Sequence, residues 1–509
     1  MRDRVDAPGV GFRFLPAFVW LSYAFFCYLM LEITLQYIPP LNDVAFLRIK
    51  QDVVHHWYYL PVFFIHAYTA ILTLPAGFTQ FSNHLRRRYP RLHRRMGYVY
   101  VLVVLVAAGP SGLVIGLHAN GGWSSQLAFC LLAVLWLVFT GLALLKARQK
   151  NWSAHRNWML RSFALALSAI TLRAWKFVLV ALFQPHPMDV YRWVAWLGWV
   201  LNLAIVEIII INRYKKATMK TFFPLFLILF LLGCGGNQPA TPSPDTAASP
   251  PPAESGEGAV ETPAKTDHPI LGSYVGLFEA KTYDANQNIS WSNKITVFLD
   301  SIAGDQLFGH SVVAGNARPF IGTLRKQGDQ FVAEGSEPGD DQYDGRFAMT
   351  IDAGGKTING TWRANKKLGV SERQYSLTRR SFRYDPNLEL PEETGWADLY
   401  NSYDEKTGKA EFLTADVTKY NASTRLLKKE EVENMYKSDL EVIRNTIYAR
   451  HGYSFKNRRM RYIFDGYVDW YMPVSVDIRD QLTTVEKQNV DLLKRYEQHA
   501  ARYYDEFGR

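Results

Sequence analysis

Cysteine is scarce: three occur in 509 residues, and Cys27 and Cys130 lie inside apolar runs. No pair is left to staple the polar C-terminal half, so that half must rely on a packed core rather than on disulfides. Catalytic spacings are missing from it as well. It has no His-Glu-x-x-His and no nucleophile-base spacing, which leaves hydrolysis without sequence support. The acidic cluster Glu334, Glu337, Asp340, Asp341 and Asp344 lacks the Asp-x-Asp-x-Asp-Gly order of a calcium loop and reads as a solvated hairpin. Charge of one uniform sign is absent too. The net +10 resolves into 22 Lys+Arg against 7 Asp+Glu over residues 1–218 and 35 against 40 over the remainder. A basic half joined to a mildly acidic one gives no argument for a nucleic-acid partner, and none is expected.

Long apolar runs are plentiful in the basic half. Six stretches, 14–37, 58–81, 97–118, 124–145, 157–183 and 190–212, each have roughly the 20 residues that cross a bilayer. The intervening segments NHLRRRYPRLHRR, KARQKNWSAHR and NRYKK are strongly basic. The positive-inside rule places them in the cytoplasm, so residues 1–214 read as a six-span membrane domain with both ends inside. His93-Arg94-Arg95-Met96 and His155-Arg156-Asn157-Trp158-Met159 each follow a basic loop and open an outward-running helix, as in two parallel copies of one hairpin.

A second export signal then appears in mid-chain. Lys215, Lys216 and Lys220 flank the apolar run Thr221 to Leu232, which ends in Leu231-Leu232-Gly233-Cys234. The run is short for a span and fits a signal-peptide core. The ending resembles the lipobox of bacterial lipoproteins, which implies lipidation at Cys234; a short seventh hydrophobic helix over 215–234 is the alternative. Residues 235–268 are rich in Pro, Ala, Ser and Thr and read as a disordered linker.

Over residues 50–212 the chain resembles uncharacterised bacterial multi-pass membrane proteins grouped as a domain of unknown function. The resemblance rests on HLRRRYPRLHRRMGYVY, AHRNWMLRSFALALSAITLRAW and WLGWVLNLAIVE. It implies no reaction, and it draws attention to His66, His93, Arg94, Gly97, His155, Arg156, Arg161, Arg173, Asn202 and Glu207. Ionisable groups at membrane depth are costly and suggest a site, and His66, Arg173 and Glu207 fall inside predicted spans. At 1.5 Å per residue they lie roughly 12, 15 to 20 and 25 Å from the outer helix ends, so a polar pocket of all three requires Arg173 to reach down to Glu207. An internal salt bridge is the competing reading. His93 and His155, with His84 nearby, start parallel helices at the inner face, where they are candidate ligands of a b-type haem or a metal; anchoring of lipid head groups by His-Arg pairs is the alternative. His66 with His118 makes a weaker outer pair, because His118 is expected some 12 Å above His66. Gly109-Pro110-Ser111-Gly112 predicts a kink and close helix approach.

From about 269 to 384 the pattern changes to period two with frequent glycine: YVGLF, FIGTL, YDGRF and INGTW. It predicts about eight strands in a small antiparallel β barrel or sandwich with a filled core. After a connecting segment, 385–424, residues 425–509 read as a small helical domain. Ser438 to Glu441 and Thr483 to Glu486 are capping-box patterns, and Gly452 is a helix stop. RNTIYARHGYSFKNRRM closely resembles the YARHG domain, a family regarded as extracytoplasmic with no assigned chemistry. Arg444, Arg450, His451, Lys456, Arg458 and Arg459 are the candidate basic face for an acidic envelope component, with dipole capping as the alternative for Arg450 and His451. The expectation is a bacterial inner-membrane protein whose residues beyond Cys234 are extracytoplasmic, serving binding or interaction. No cofactor is required by this reading; a haem-dependent electron carrier and a small-molecule or proton-coupled transporter are the alternatives.

Overall fold

The computed structural model describes residues 11–183, 185–215, 268–399, 401–404 and 409–503. The expected signal, Cys234 and the linker lie outside the described residues. The N-terminal part is a helical bundle formed by α1 (Gly11–Leu35), α2 (Tyr59–Ala70), α3 (Pro90–Leu117), α4 (Gly122–Arg148), α5 (Trp152–Ala166), α6 (Ser168–Phe183) and α7 (Pro187–Lys215). Six uniform crossings were expected. Among the described residues four helices, α1, α3, α4 and α7, are long and apolar enough to cross a membrane, five if the bent pair α5–α6 is counted as one. The second stretch falls short because it breaks up. After α2 come a 3-10 turn, Ile71–Thr73, and a separate helix, Ala76–Gln80. Pro75 between them has no N–H to continue the ladder. Within α3 a π turn, Val103–Ala108, runs directly into Gly109-Pro110. The expected close approach is there: a Cβ at Gly109 would collide with Leu137 and the Val104 carbonyl.

Helix alternation gathers the turns near residues 36–58, 118–121 and 185–186 at one end of the bundle and the Arg-rich turns at the other. Trp57, Trp123 and Trp193 are exposed towards the first end, and Tyr89, Tyr98 and Trp152 towards the second. Amphipathic rings at both ends are what a membrane-water interface selects.

The middle of the chain is a closed eight-stranded antiparallel barrel: β1 (Gly272–Tyr283), β2 (Ser292–Ala303), β3 (Gln306–Val313), β4 (Asn316–Gln327), β5 (Gln330–Ser336), β6 (Gly345–Asp352), β7 (Thr357–Ala364) and β8 (Val370–Arg379), with β8 paired back to β1. Inward residues Tyr274, Phe278, Phe320, Phe347, Trp362 and Tyr375 fill it, so the barrel has a packed core rather than a ligand cavity. A Cβ at Gly360 would strike the Ala348 carbonyl and the Tyr375 ring, which is why the recurrent glycine is needed where the strands curve over large aromatics. Glu337 from the acidic cluster is buried at a barrel end, accepting hydrogen bonds from Gly345 N (2.6 Å) and Trp362 Nε1 (3.1 Å). Asp344 is buried with it, whereas Glu334, Asp340 and Asp341 are exposed, so the cluster is a solvated hairpin with two of its five carboxylates folded in.

The C-terminal domain packs α8 (Lys437–Arg450), α9 (Arg458–Tyr467) and α10 (Thr484–Tyr503) around Trp396, Ile447, Phe464, Tyr471 and Leu493. The Thr483–Glu486 capping box is present: Thr483 N donates to Glu486 (2.9 Å), and Glu486 N donates to Thr483 Oγ1 (3.2 Å). The Ser438 box is not. α8 begins at Lys437 with no side-chain cap, and Asp439 instead accepts from Thr414 N and Oγ1 (2.8 and 2.9 Å), tying the preceding segment to the helix. Gly452 stops α8 at φ +70°.

Two buried carboxylates make this unit sensitive to pH. Burial pushes Asp439 and Asp465 each up to about 7, although Asp465 also accepts from Lys294 N (2.9 Å). The folded state therefore keeps protons that the unfolded chain has released between the ordinary carboxylate range and about 7, and stability falls as pH climbs through that window. Residues 268–509 are expected to lose on the order of a few kcal/mol between about pH 4 and pH 7, and Asp439→Asn with Asp465→Asn to flatten the slope. Urea midpoints that are flat across this range in the wild-type sequence contradict the prediction.

Candidate functional site

A cavity of about 430 Å³ lies inside the bundle, walled by α1, α2, α3, α4, α6 and the start of α7. Its lining is mainly apolar, including Phe63, Ile115, Leu132 and Trp136, with His66, His118, Arg173, Tyr37 and Tyr191 and the hydroxyls of Thr34, Thr73 and Ser168 as polar members. Two of the three residues expected to share a pocket are thus brought together. His66 bonds through Nδ1 to the Ala108 carbonyl (2.9 Å) and the Ser111 hydroxyl (3.3 Å). Gly112 makes room for it, since a Cβ there would lie 2.9 Å from His66 Cε1. Arg173 donates to the Ala169 carbonyl one turn back (2.6 Å) and stands within electrostatic reach of Tyr37 and Tyr191. No carboxylate among the described residues forms an ion pair with it.

Glu207 is not in the cavity lining. It forms a bidentate pair with Arg161, Nε to Oε1 at 2.5 Å and Nη2 to Oε2 at 2.8 Å, and the guanidinium also covers the Trp158 ring at 4.6 Å. The three-residue pocket is corrected accordingly. Arg161 is more than three turns before Arg173 along the chain and level with Glu207, so it neutralises the carboxylate.

Between Arg161 and Arg173 the chain bends by 46° where α5 gives way to α6. Backbone groups released at such a break must find partners within the protein. Asn202 supplies them: its Nδ2 donates to the Ala164 carbonyl (3.0 Å), the Gly198 carbonyl (2.9 Å) and Thr171 Oγ1 (3.0 Å). Leu165, Ala166, Ser168, Ala169 and Leu172 around the break all face the cavity. Irregular backbone at membrane depth is tolerated where it lines a cavity or is packed in protein, and here it does both.

The inner-face histidines are elsewhere. His93 Nδ1 meets the Thr79 carbonyl (3.3 Å) and His155 Nδ1 meets the Ala143 carbonyl (2.8 Å), and the two rings are within electrostatic reach of each other. Neither lines the cavity, and the His84 side chain lies outside what the structure describes. No group of three or more His, Cys, Asp or Glu arranged for a metal ion is present among the described residues.

The end of the bundle opposite the Arg-rich turns is covered by the C-terminal domain. Ile49, from the 3-10 turn Ala45–Lys50, belongs to that domain's own core cluster, and Phe46 beside it both packs against that core and lines the cavity. Arg48 Nη1 donates to Gln498 Oε1 (3.0 Å), Lys429 pairs with Asp52 (3.4 Å), and Met188 N donates to Asn434 Oδ1 (2.8 Å). His186 stacks on Tyr436 with ring centroids 4.6 Å apart. Beneath this contact Lys50 is 1% exposed and donates to the His118 carbonyl and Asn120 Oδ1. Burial, with Lys429 nearby, pulls its ammonium down to about 7.

The expected basic face is not presented as a whole: Lys456 and Arg458 are exposed, while Arg444, Arg450, His451 and Arg459 are engaged in internal contacts. Arg444 pairs with Glu497 (2.9 Å), and Arg459 pairs with Glu411 and Glu441. Arg450 and His451 are each 3% exposed. Arg450 donates to the Leu388 carbonyl (2.8 Å) and Ser423 Oγ (3.1 Å). His451 bonds Glu486 (2.8 Å), and against the effect of burial this bond and the Thr483 N–H hold Glu486 down to about 2. Arg458 reaches Asn288 Oδ1 (2.6 Å) and the Ile289 carbonyl on the barrel, and a Cβ at Gly315 of the β3–β4 turn would run into Lys456. With Arg380 donating to the Asp469 and Trp470 carbonyls (2.9 Å each), these contacts join barrel and helical domain into one body.

Sequence reasoning missed Lys50, Tyr37 and Tyr191. A lone lysine beside a predicted span reads as a flanking charge, and tyrosines near helix ends read as interface anchors; only the chain's return onto this surface makes them part of a site. No curated protein and no solved structure matches the chain. Residues 63–210 match the family described as predicted membrane protein (DUF2306), and residues 415–498 match the YARHG domain, so a recognised membrane domain and a recognised small domain occupy the two ends of one chain.

Proposed function

We propose that this is a bacterial inner-membrane protein whose bundle holds a small-molecule binding cavity and whose exported half is seated over the mouth of that cavity as a binding module. The observation that carries the reading is Ile49, a loop residue of the bundle that completes the core of the C-terminal domain. In this arrangement the Arg-rich turns face the cytoplasm and everything after Cys234 is extracytoplasmic. The docking of the C-terminal domain on the end away from Arg86 to Arg95 supports it, since both assignments then require the same side. A cut before Cys234 is compatible with this seating, because the contacts reach across the 215–268 segment and do not depend on its continuity.

The test is a cysteine pair. With Arg48→Cys and Gln498→Cys, a membrane-impermeant bifunctional thiol cross-linker long enough to replace the two side chains, applied to intact spheroplasts, is expected to link the two positions. Linkage that needs permeabilised membranes places the seat on the cytoplasmic side, and no linkage under either condition removes the seated module.

A further inference from the structure

Among the described residues the cavity carries one charge more than it can neutralise, and this bears on the class of its occupant. Arg173 holds a permanent cation on the cavity wall, yet the hydrogen bond it makes is to a neutral carbonyl, Ala169 O at 2.6 Å. Elsewhere in the bundle the fold solves the same problem with protein: Arg161, more than three turns nearer the other end, has a bidentate carboxylate. An uncompensated ion in low dielectric costs several kcal/mol, so a guanidinium kept in this state is a stored attraction for an anion. Its planar fork matches a carboxylate or phosphate in two parallel hydrogen bonds. The rest of the wall is mainly hydrocarbon and aromatic, with Met30, Ile33, Phe63, Leu132, Trp136 and Leu172, and besides His66 carries only neutral hydroxyls and His118 as further polar groups. Its volume, about 430 Å³, is within the ~300–1,000 Å³ usual for small-ligand sites.

The route in is also visible. α1 forms one wall of the cavity through Met30, Ile33 and Thr34, while Phe25, Tyr28, Leu31 and Leu35 of the same helix are exposed on the outside of the bundle. Only 6% of its spanning window is buried. The helix is held at its middle and just past its C-terminal end: Tyr23 donates to the Leu74 carbonyl, and Tyr68 donates to the Tyr37 carbonyl (2.5 Å). Between these fixed points a single lightly packed helix separates the cavity from lipid. The outer mouth, by contrast, lies under Phe46 and the C-terminal domain.

We propose that the cavity binds a single-chain amphiphile with an acidic head group, which enters sideways from the bilayer past α1 and pairs with Arg173. This deepens the reading of the cavity as a binding site and rests on it. Head-group chemistry supplies the missing negative charge, and the alkyl chain lies against the apolar wall. His66 Nδ1 donates to the Ala108 carbonyl, so its Nε2 is an acceptor that suits a hydroxyl or water beside the head group, and the anionic oxygens are left to Arg173.

The experiment uses the full chain in a non-ionic detergent and a fluorescent fatty acid, dansyl-undecanoic acid, beside its methyl ester. Saturable binding of the acid is expected, at least tenfold tighter than that of the ester. Laurate and dodecyl phosphate are expected to displace it and dodecanol not to; which of the two acids competes better tells a carboxylate source from a phosphate source. Arg173→Gln is expected to weaken the acid at least tenfold without changing ester binding, and Arg173→Lys to keep part of the preference. Met30→Trp, which fills the cavity from α1 and leaves the charge in place, is expected to weaken both probes. Equal binding of acid and ester, or an unchanged acid affinity in Arg173→Gln, overturns the proposal. Loss of the Arg48–Gln498 linkage with this acid preference intact refutes the seated module alone, so the two failures are distinguishable.

Discussion

Ile49→Asp is expected to unseat the C-terminal domain while leaving both halves folded. Ile49 is 4% exposed and sits among Trp396, Leu413 and Val432 in a cluster drawn from two separate parts of the chain. A carboxylate there loses the apolar contact and must also be desolvated without a partner, a penalty of several kcal/mol. Part is relieved by separation, because the loop then returns to water. A net loss of ~3 kcal/mol at the contact corresponds to about a hundredfold fewer seated molecules, at 1.4 kcal/mol per factor of ten. The readout is the initial rate of Arg48→Cys/Gln498→Cys linkage in the Ile49→Asp background. Ile49→Val, which removes one methyl group, is expected to cost only ~1 kcal/mol and retain most of the linkage. An unchanged rate in Ile49→Asp shows that the polar contacts alone hold the domain, and the apolar account of the seat is then wrong.

Trp362→Ala is expected to be the most damaging single change in the barrel. Its side chain is 6% exposed, packs edge-on against Phe278 with centroids 5.7 Å apart, and donates Nε1 to the buried Glu337 at 3.1 Å. Removal opens a cavity worth ~3–5 kcal/mol and takes a donor from a buried carboxylate at a further ~1–3 kcal/mol. For a domain of this size that is a melting decrease on the order of 20 °C. Trp362→Phe keeps most of the volume and loses only the N–H, so its expected loss is much smaller. Should the two variants melt alike, the hydrogen bond to Glu337 and not the packing dominates, and the filled-core description of the barrel needs revision. Burial raises the Glu337 carboxyl above its usual range, so the loss in both variants relative to the wild-type sequence is expected to grow as pH rises and that group ionises without the Trp362 donor.

Some of the site was readable in advance and some was not, for identifiable reasons. His66 and Arg173 stood out because ionisable residues inside apolar runs are rare and expensive, and estimates of depth along ideal helices put them at similar levels. Glu207 was assigned to the same pocket because a helix count supplies depth but no azimuth, and Arg161 was not weighed as its partner. The bend between α5 and α6 has no proline to announce it; it is sustained by Asn202 from another helix. Arg450 and His451 belong to a conspicuous basic segment, yet a count of charges does not reveal that Ser423, Leu388 and Glu486 come back to enclose them.

Local physics alone determined the broad plan. Apolar length marked out the membrane half but not the number of its spanning helices, period two with recurrent glycine indicated about eight antiparallel strands without deciding barrel from sandwich, and the Thr483–Glu486 pattern and Gly452 set helix limits, because each is a property of neighbours along the chain. Tertiary structure decided which charges are paired and which is left alone. Arg161 and Arg173 are the same residue type in the same apolar stretch, and nothing near them in sequence tells them apart. One faces Glu207 and is neutralised; the other faces a cavity and is not, because pairing depends on the direction in which separate helices present their side chains.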